Sequence, residues 1–468
     1  MLPIDYRIRM KDLLEDEYDD FIESLEAPEY KALRLNPLKA DRAQLLAFLT
    51  DLENEFPGKL MIEREPVPWE RYGFYYTLLK DVSDDSDKPI GPGVSPLHEA
   101  GAYYIQEPSA MKPVSLMDIC PGDRVLDMCA APGGKSTQIA AALNGEGILL
   151  SNEYVRSRAL ILSSNIERMG VKNSLVLNET PERIGSVFAG YFDRILVDAP
   201  CSGEGMFRKN DQAIEQWSLD NVRMCAKRQD EILDHVSGAL RYGGILVYST
   251  CTFSPEEDEE CVSRFLNAHP EYELIKMEKL FPHKVKGEGH FMAKLSRGTY
   301  KEREAHYPEA LDGQQGRARK RTARDERIRE FREFCEGMLT DAAFLTSDAA
   351  AGRLTFFGDN LYLVPEGSPQ LDGLKTVRPG LHLGMFLKNR FEPAHAWAMS
   401  LWKGDVRNAV NITYDEAVSY LSGMTLTCEG ESGWCLVCYN GISLGWGKRA
   451  GNVIKNHYPK GLRKNWSV

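Results

Sequence analysis

Arg124-Val-Leu-Asp-Met-Cys-Ala-Ala-Pro-Gly-Gly-Lys-Ser136 is the stretch on which the fold turns. Arg124 to Met128 reads as a short strand buried on both faces, and Ser136 to Leu143 has helical character. Between them Gly133 and Gly134 let the backbone turn sharply and come close to a ligand. The N–H groups of the following helix then point at that ligand. A nucleotide-triphosphate loop would need glycine five residues before Gly134, where Cys129 stands, and no G-x-G-x-x-G is present. A third reading is a loop for S-adenosylmethionine, which must approach a methionine carboxylate and a ribose. The bland alternative is a plain turn.

Outward from this stretch the alternation continues. Gly147–Ser151, Leu175–Leu177, Arg194–Asp198 and Gly244–Ser249 read as further buried strands, with helices over Arg156–Met169 and Ala226–Leu240. Strands buried on both faces and separated by helices predict an α/β, doubly wound parallel sheet. Ligands in such sheets bind beyond the carboxyl ends of the strands. The second strand ends in Asn152-Glu153, where a carboxylate can accept two hydrogen bonds from ribose hydroxyls. Strand, loop, helix and acid in this order weigh against the plain turn.

The fourth strand ends in Asp198-Ala-Pro-Cys-Ser-Gly203 and the fifth in Tyr248-Ser-Thr-Cys-Thr252, so Cys201 and Cys251 are expected in one crevice. Cys120, Cys225, Cys261 and Cys335 read instead as small apolar residues. Cys129-Ala-Ala-Pro-Gly-Gly-Lys135, Asp198-Ala-Pro-Cys-Ser-Gly203 and Ser249-Thr-Cys-Thr252 resemble three signature motifs of the RNA cytosine-5 methyltransferase family. His98 to Ser109 resembles that family's lead-in to the catalytic domain. The match is strong over about residues 98–295. Weaker likeness at both ends resembles the bacterial branch acting on small-subunit ribosomal RNA, the ribosomal small-subunit methyltransferase F type.

The resemblance implies a Rossmann-like class I S-adenosylmethionine methyltransferase sheet, an N-terminal ferredoxin-like subdomain and a C-terminal PUA-like RNA-binding region. It implies a transferase forming 5-methylcytosine, acting in rRNA processing and ribosome biogenesis. The attacking thiolate falls to Cys251 and release of the methylated product to Cys201; the swapped assignment is the mechanistic rival. Asp198 would bond N3 or the exocyclic amine of a flipped cytosine, or hold the methionine amino group. Lys135 would lower a nearby thiol pKa or orient Asp198. Cys129, Ala130, Ala131, Pro132, Gly133, Gly134, Lys135 and Asp198 would surround the cofactor, with Glu153 on the ribose and Arg158 supporting Glu153 or the methionine end. For adenine, Asn178 is favoured over Glu179 and Thr180, since an amide can serve both N6 and N1.

A chain of 468 residues is too long for one ordinary domain. Residues 1–95 read as a small mixed α/β unit, with a helix over Lys11–Leu25, a strand at Ala32–Asn36 and a helix at Leu45–Leu52. Residues 96–296 form the catalytic domain and 297–330 a basic linker. Residues 331–390 form a first C-terminal module, read as short strands and turns, and 391–468 the PUA-like domain. The net charge of −12 argues by itself against nucleic acid, but it is a sum. No Asp or Glu follows Glu431. Lys448, Arg449, Lys455, Lys460, Arg463 and Lys464 are interleaved there with Trp446, Tyr458 and Trp466, the pattern of phosphate contacts beside stacking platforms. Gly203 to Lys209 is expected to hold a target phosphate or form a lid.

Cys435-x-x-Cys438 lacks a second pair and reads as strand core, so no metal is expected. Phe291 reads as sheet core. Ten dilute cysteines, no membrane-length apolar run and no apolar leader in Met1–Glu15 predict a cytoplasmic protein without a membrane partner. RNA is the expected partner; DNA is not, and no dimer is required. The rival readings are tRNA as substrate, or an assembly factor that binds RNA without catalysis.

Overall fold

The structure, a computed structural model, describes residues 2–79, 90–298, 318–388 and 390–464. Its centre is an eight-stranded sheet. In spatial order the strands are Tyr272–Leu280, His290–Arg297, Leu240–Thr250, Phe192–Asp198, Arg124–Asp127, Ile148–Asn152, Ser174–Leu177 and Thr376–Arg378. The five expected strands are the parallel ones. Three antiparallel strands extend the edges. Leu126, Leu150, Leu175, Ile195 and Leu246 face one buried core, and Val125, Leu149, Val176, Leu196 and Val247 the other. This two-sided burial explains why the strands read as continuous apolar runs.

Helices Gly134–Leu143, Arg156–Arg168, Pro181–Val187, Leu219–Ser237 and Glu259–Ala268 cover the sheet. The helix expected over Ala226–Leu240 begins earlier, because Ser218 caps it by accepting from Asn221 N at 3.1 Å. It stops at Ser237, and Leu240 already belongs to the fifth parallel strand.

The N-terminal sheet has the order Leu60–Val67, Glu70–Leu78, Lys31–Leu35, Tyr103–Ile105, all neighbours antiparallel, with helix Arg42–Glu55 joining Lys31–Leu35 to Leu60–Val67. This is the split βαβ arrangement of a ferredoxin-like unit. Its fourth strand lies past the expected boundary at residue 95, because the partner it needs, Lys31–Leu35, is distant in sequence. The helix expected over Lys11–Leu25 is two helices, Ile4–Leu14 and Tyr18–Glu26, broken at Glu15–Glu17 where Glu15 has φ +48°. Tyr6, Met10 and Phe21 pack against Phe207, Trp217 and Phe253 of the catalytic unit.

The basic linker ends sooner than expected. Its residues 299–317 lie outside the described residues, and Ala318–Met338 is a helix that also takes the start of the module read as strands and turns. Phe331, Cys335 and Met338, at helical spacing, bury one side of it. Leu354–Phe357, Asn360–Leu363, Leu381–Leu387 and Arg390–Pro393 form the next sheet. Arg390–Pro393 pairs with Leu381–Leu387, so the expected cut at 390/391 falls inside a hairpin.

The last sheet orders Ala409–Ile412, Gly433–Tyr439, Ile442–Ala450, Val453–Asn456 and Leu426–Thr427. Its Cys435, Val437 and Tyr439 share a core with Leu33, Leu35 and Phe48 of the N-terminal unit. Leu436 and Cys438 face the other side. The Cys435/Cys438 pair is thus strand core, and no metal-binding cluster occurs among the described residues.

Helix Pro181–Val187 touches helix Leu219–Ser237 through Gly185, where an added Cβ would lie 1.9 Å from the His235 carbonyl oxygen. Gly185→Ala is expected to destabilise the protein by about 1–3 kcal/mol in urea unfolding, because the helices must separate.

Candidate active site

Parallel pairing places Asp198 opposite Ser249. The loops that leave these strands bring the Cys201 and Cys251 sulfurs to 3.3 Å. Gly205 N–H donates to the Cys251 carbonyl at 2.8 Å, and the Ser202 and Thr252 hydroxyls lie 2.9 Å apart. The hydrogen bond to Cys251, and then burial, push the Cys201 thiol well up.

Asp198 lies beside the sulfur pair. It accepts from Lys135 Nζ at 2.7 Å and from Ser249 Oγ at 2.8 Å, with His290 Nε2 3.4 Å away. Burial opposes its charge, but Lys135 and then His290 outweigh this and hold the carboxyl well below its ordinary value. Burial likewise works against the Lys135 ammonium, yet Asp198 raises its pKa. His290, buried and shifted down by that burial, is a neighbour that the sequence reading did not single out. Phe291 is indeed fully buried.

The glycine-rich loop lies at the end of the first parallel strand. Gly133 has φ +117°, and a Cβ there would approach Leu162 Cδ1 to 3.2 Å. Ala130 N–H donates to the Asn152 carbonyl at 2.9 Å, tying the loop to the neighbouring strand end. Asp127, fully buried, accepts from Ser136 Oγ at 2.7 Å, and burial pushes its carboxyl up to about 7. Burial also pushes the Cys129 thiol up.

Glu153 is buried at the second strand end and accepts from Val155 N–H at 2.8 Å. Arg158 donates to the Ala131 carbonyl at 2.9 Å and lies 3.4 Å from Glu153 Oε2, joining loop to acid. Loop N–H groups to donate, and the Glu153 and Asp198 carboxylates to accept, are the hydrogen-bonding set that an amino-acid-bearing nucleoside requires, and the Gly133 turn gives it close approach. The residues fit S-adenosylmethionine.

Asn178 behaves differently from the expectation. Its amide nitrogen donates to the Glu153 and Tyr154 carbonyls, each at 2.7 Å, so it holds the turn after the second strand and both protons are spent. Only its oxygen could face adenine, which cannot serve N1. Glu179 accepts from Lys375 N–H at 2.6 Å, and Thr180 caps helix Pro181–Val187.

Other expectations change on packing. Arg208 and Lys209, at the basic end of the Gly203–Lys209 segment, are ion-paired with Glu288 at 3.3 and 3.8 Å. Cys120 is exposed, while Cys225, Cys261 and Cys335 are buried as read. In the C-terminal region Trp446 and Tyr458 are core residues bonded to the Ala394 carbonyl and Glu99, not stacking platforms. Trp466 lies outside the described residues. Arg449 is buried, and Lys464 pairs with Glu99 at 2.6 Å. Lys448, Lys455 and Lys460 remain exposed.

Family models match almost the whole chain. They are the 16S rRNA methyltransferase RsmB/F model over residues 114–296, the N-terminal domain of 16S rRNA methyltransferase RsmF over 2–108, the RsmF rRNA methyltransferase first C-terminal domain over 333–401 and the methyltransferase RsmF PUA domain over 407–464. The ribosomal RNA small subunit methyltransferase F of Vibrio vulnificus is 32% identical over 492 aligned positions, covering 98% of this chain and 97% of its own. That of Aeromonas hydrophila is 31% identical, covering 95% and 93%. Among solved structures, a methyltransferase homolog protein from Pyrococcus horikoshii is 28% identical with TM-score 0.52, over 61% of this chain and 92% of its own. NSun6 from Pyrococcus horikoshii with SFG, at 23% identity and TM-score 0.55, covers 63% and 98% and shares the fold.

The depressed Asp198 carboxyl stabilises the fold fully above its unfolded value of about 3.9, and that contribution is lost as pH falls through the lower folded value. Lys135→Met removes its partner. The variant is therefore expected to be less stable than the parent at pH 7 in urea unfolding, with the difference narrowing as pH falls below about 4.

Proposed function

We propose that this chain, which belongs to the ribosomal RNA small subunit methyltransferase F family, methylates C5 of a cytidine in small-subunit (16S) rRNA with Cys251 as nucleophile. The observation that carries the reading is the pair of sulfurs 3.3 Å apart, beside an aspartate that a lysine keeps ionised. Cytosine C5 is a poor nucleophile. Addition of the Cys251 thiolate to C6 breaks the C5–C6 double bond and moves its electrons to C5. Asp198, aimed by Lys135 and Ser249, accepts a hydrogen bond from the exocyclic amine or from protonated N3 as positive character grows. S-adenosylmethionine, held by the 129–135 loop, Glu153 and Asp198, supplies the electrophilic methyl group when bound.

The C5 proton must then pass to a base such as water, its bonding electrons re-forming the double bond while the Cys251–C6 bond breaks and Cys251 departs as a thiolate. The family resemblance assigns release to Cys201, whose sulfur lies 3.3 Å from that of Cys251. Exposed Lys448, Lys455 and Lys460 supply phosphate contacts on the C-terminal domain. A reducing, cytoplasmic setting agrees with ten free thiols.

Cys251→Ala is expected to abolish methyl transfer, and Cys201→Ala to accumulate an SDS-resistant protein–RNA adduct. A stable adduct with the Cys251 variant and none with the Cys201 variant would reverse the roles. Mapping 5-methylcytosine in total RNA from cells with and without the protein should show one loss, in small-subunit rRNA. Loss confined to tRNA would overturn the substrate, and no loss anywhere would favour a non-catalytic assembly factor.

A further inference from the structure

Two buried carboxylates that take no part in the chemistry above cross between the two cysteine loops. Glu204, 1% exposed, follows Cys201 in the first loop. Its Oε2 accepts from Phe253 N–H at 2.8 Å, in the second loop. Its Oε1 accepts from Ser254 Oγ at 2.7 Å and from Trp217 Nε1 at 2.8 Å. Glu257, fully buried, follows Cys251 in the second loop. Its Oε2 reaches back to accept from Ser202 N–H at 2.9 Å and from Gln229 Nε2 at 2.8 Å; that nitrogen also donates to the Pro200 carbonyl at 3.1 Å. Each loop thus extends a carboxylate that captures a backbone N–H of the other, within two residues of the other's cysteine.

We propose that Glu204 and Glu257 form a reciprocal clasp that sets the separation and aim of the Cys201 and Cys251 sulfurs, as positioning residues for methyl transfer. The role rests on the two-cysteine reading. Besides the clasp, the two segments are linked by the Ala199–Ser249 and Gly205–Cys251 backbone bonds, the Ser202–Thr252 hydroxyl contact and the contact of the sulfurs themselves.

The two acids are not equivalent, and this makes the clasp testable. Phe253 N–H and Trp217 Nε1–H each face a different Glu204 oxygen, and neither donor can turn into an acceptor. Glutamine offers one oxygen, so Glu204→Gln sets an NH2 against a fixed N–H. Glu257 uses only Oε2, and its Oε1 has no hydrogen-bond partner. Glu257→Gln can keep both bonds, whereas Glu257→Ala keeps neither.

The experiment is single-turnover methylation at saturating RNA and S-adenosylmethionine, with melting temperature measured on each variant. Glu204→Gln and Glu257→Ala are expected to slow transfer about 10- to 100-fold, the scale of a small misplacement of reacting groups. Affinity for RNA and cofactor should stay within about threefold. Glu257→Gln should retain far more of the rate than Glu257→Ala. Ser254→Ala, which removes one donor, supplies a milder break should Glu204→Gln fail to fold, and it should also slow transfer. Rates within about threefold of the parent for the disruptive variants, or losses explained wholly by weaker binding, would overturn the clasp. Cys201→Ala alone serves as the control. Its failure to trap RNA would count against the two-cysteine reading, while the single-turnover comparison still decides the clasp.

Discussion

The parallel register that sets Asp198 against Ser249 is the constraint on which the rest depends. It brings two strands to the same height at the sheet's carboxyl edge, so that loops leaving them meet. One slip in that register would separate the sulfurs and move Asp198 away from Ser249, because successive side chains in a strand point to opposite faces. The two-sided core enforces the register: Ile195 and Leu246 must meet one set of helices and Leu196 and Val247 the other. Packing energy far from the crevice thereby fixes distances within it.

Inside the crevice, electrostatics follows from burial. A carboxylate that burial alone would protonate is held ionised by Lys135, which in turn keeps its own charge because of Asp198. Part-buried pairs of this kind are costly to break, which favours a single arrangement. The outer units are attached through a strand pairing and a shared core. Strand Thr376–Arg378 extends the catalytic sheet next to Asn178, and the C-terminal sheet shares its core with the N-terminal one. A net charge of −12 is therefore compatible with an RNA enzyme, since exposed lysines lie in a C-terminal region that lacks acids.

What could be read from the sequence was what short-range pattern dictates. The parallel strands were legible because two-sided burial writes itself as apolar runs, and the cysteine loops because they follow those runs directly. Residues brought in from afar were not legible. His290 reaches Asp198 only because strand His290–Arg297 inserts antiparallel beside Leu240–Thr250. The strand at Tyr103–Ile105 completes a sheet whose other members precede residue 79. Composition also misled in the C-terminal region, where Trp446 and Tyr458 resembled platforms but fill a core shared between units. Asn178 had the right chemistry for adenine, yet the carbonyls of Glu153 and Tyr154 claim its amide protons. Basic residues before Phe331 masked a helix whose apolar stripe, Phe331, Cys335 and Met338, was present in the sequence.

The most direct test of the account is the identity of the sulfur that attacks the base. Small-subunit rRNA carrying 5-fluorocytidine at the methylated position cannot lose a proton from C5, so the unmodified enzyme should remain bonded to C6. Digestion and mass spectrometry of that complex should find the nucleotide on the peptide containing Cys251. A link through Cys201, or no link despite methyl transfer to ordinary RNA, would contradict it.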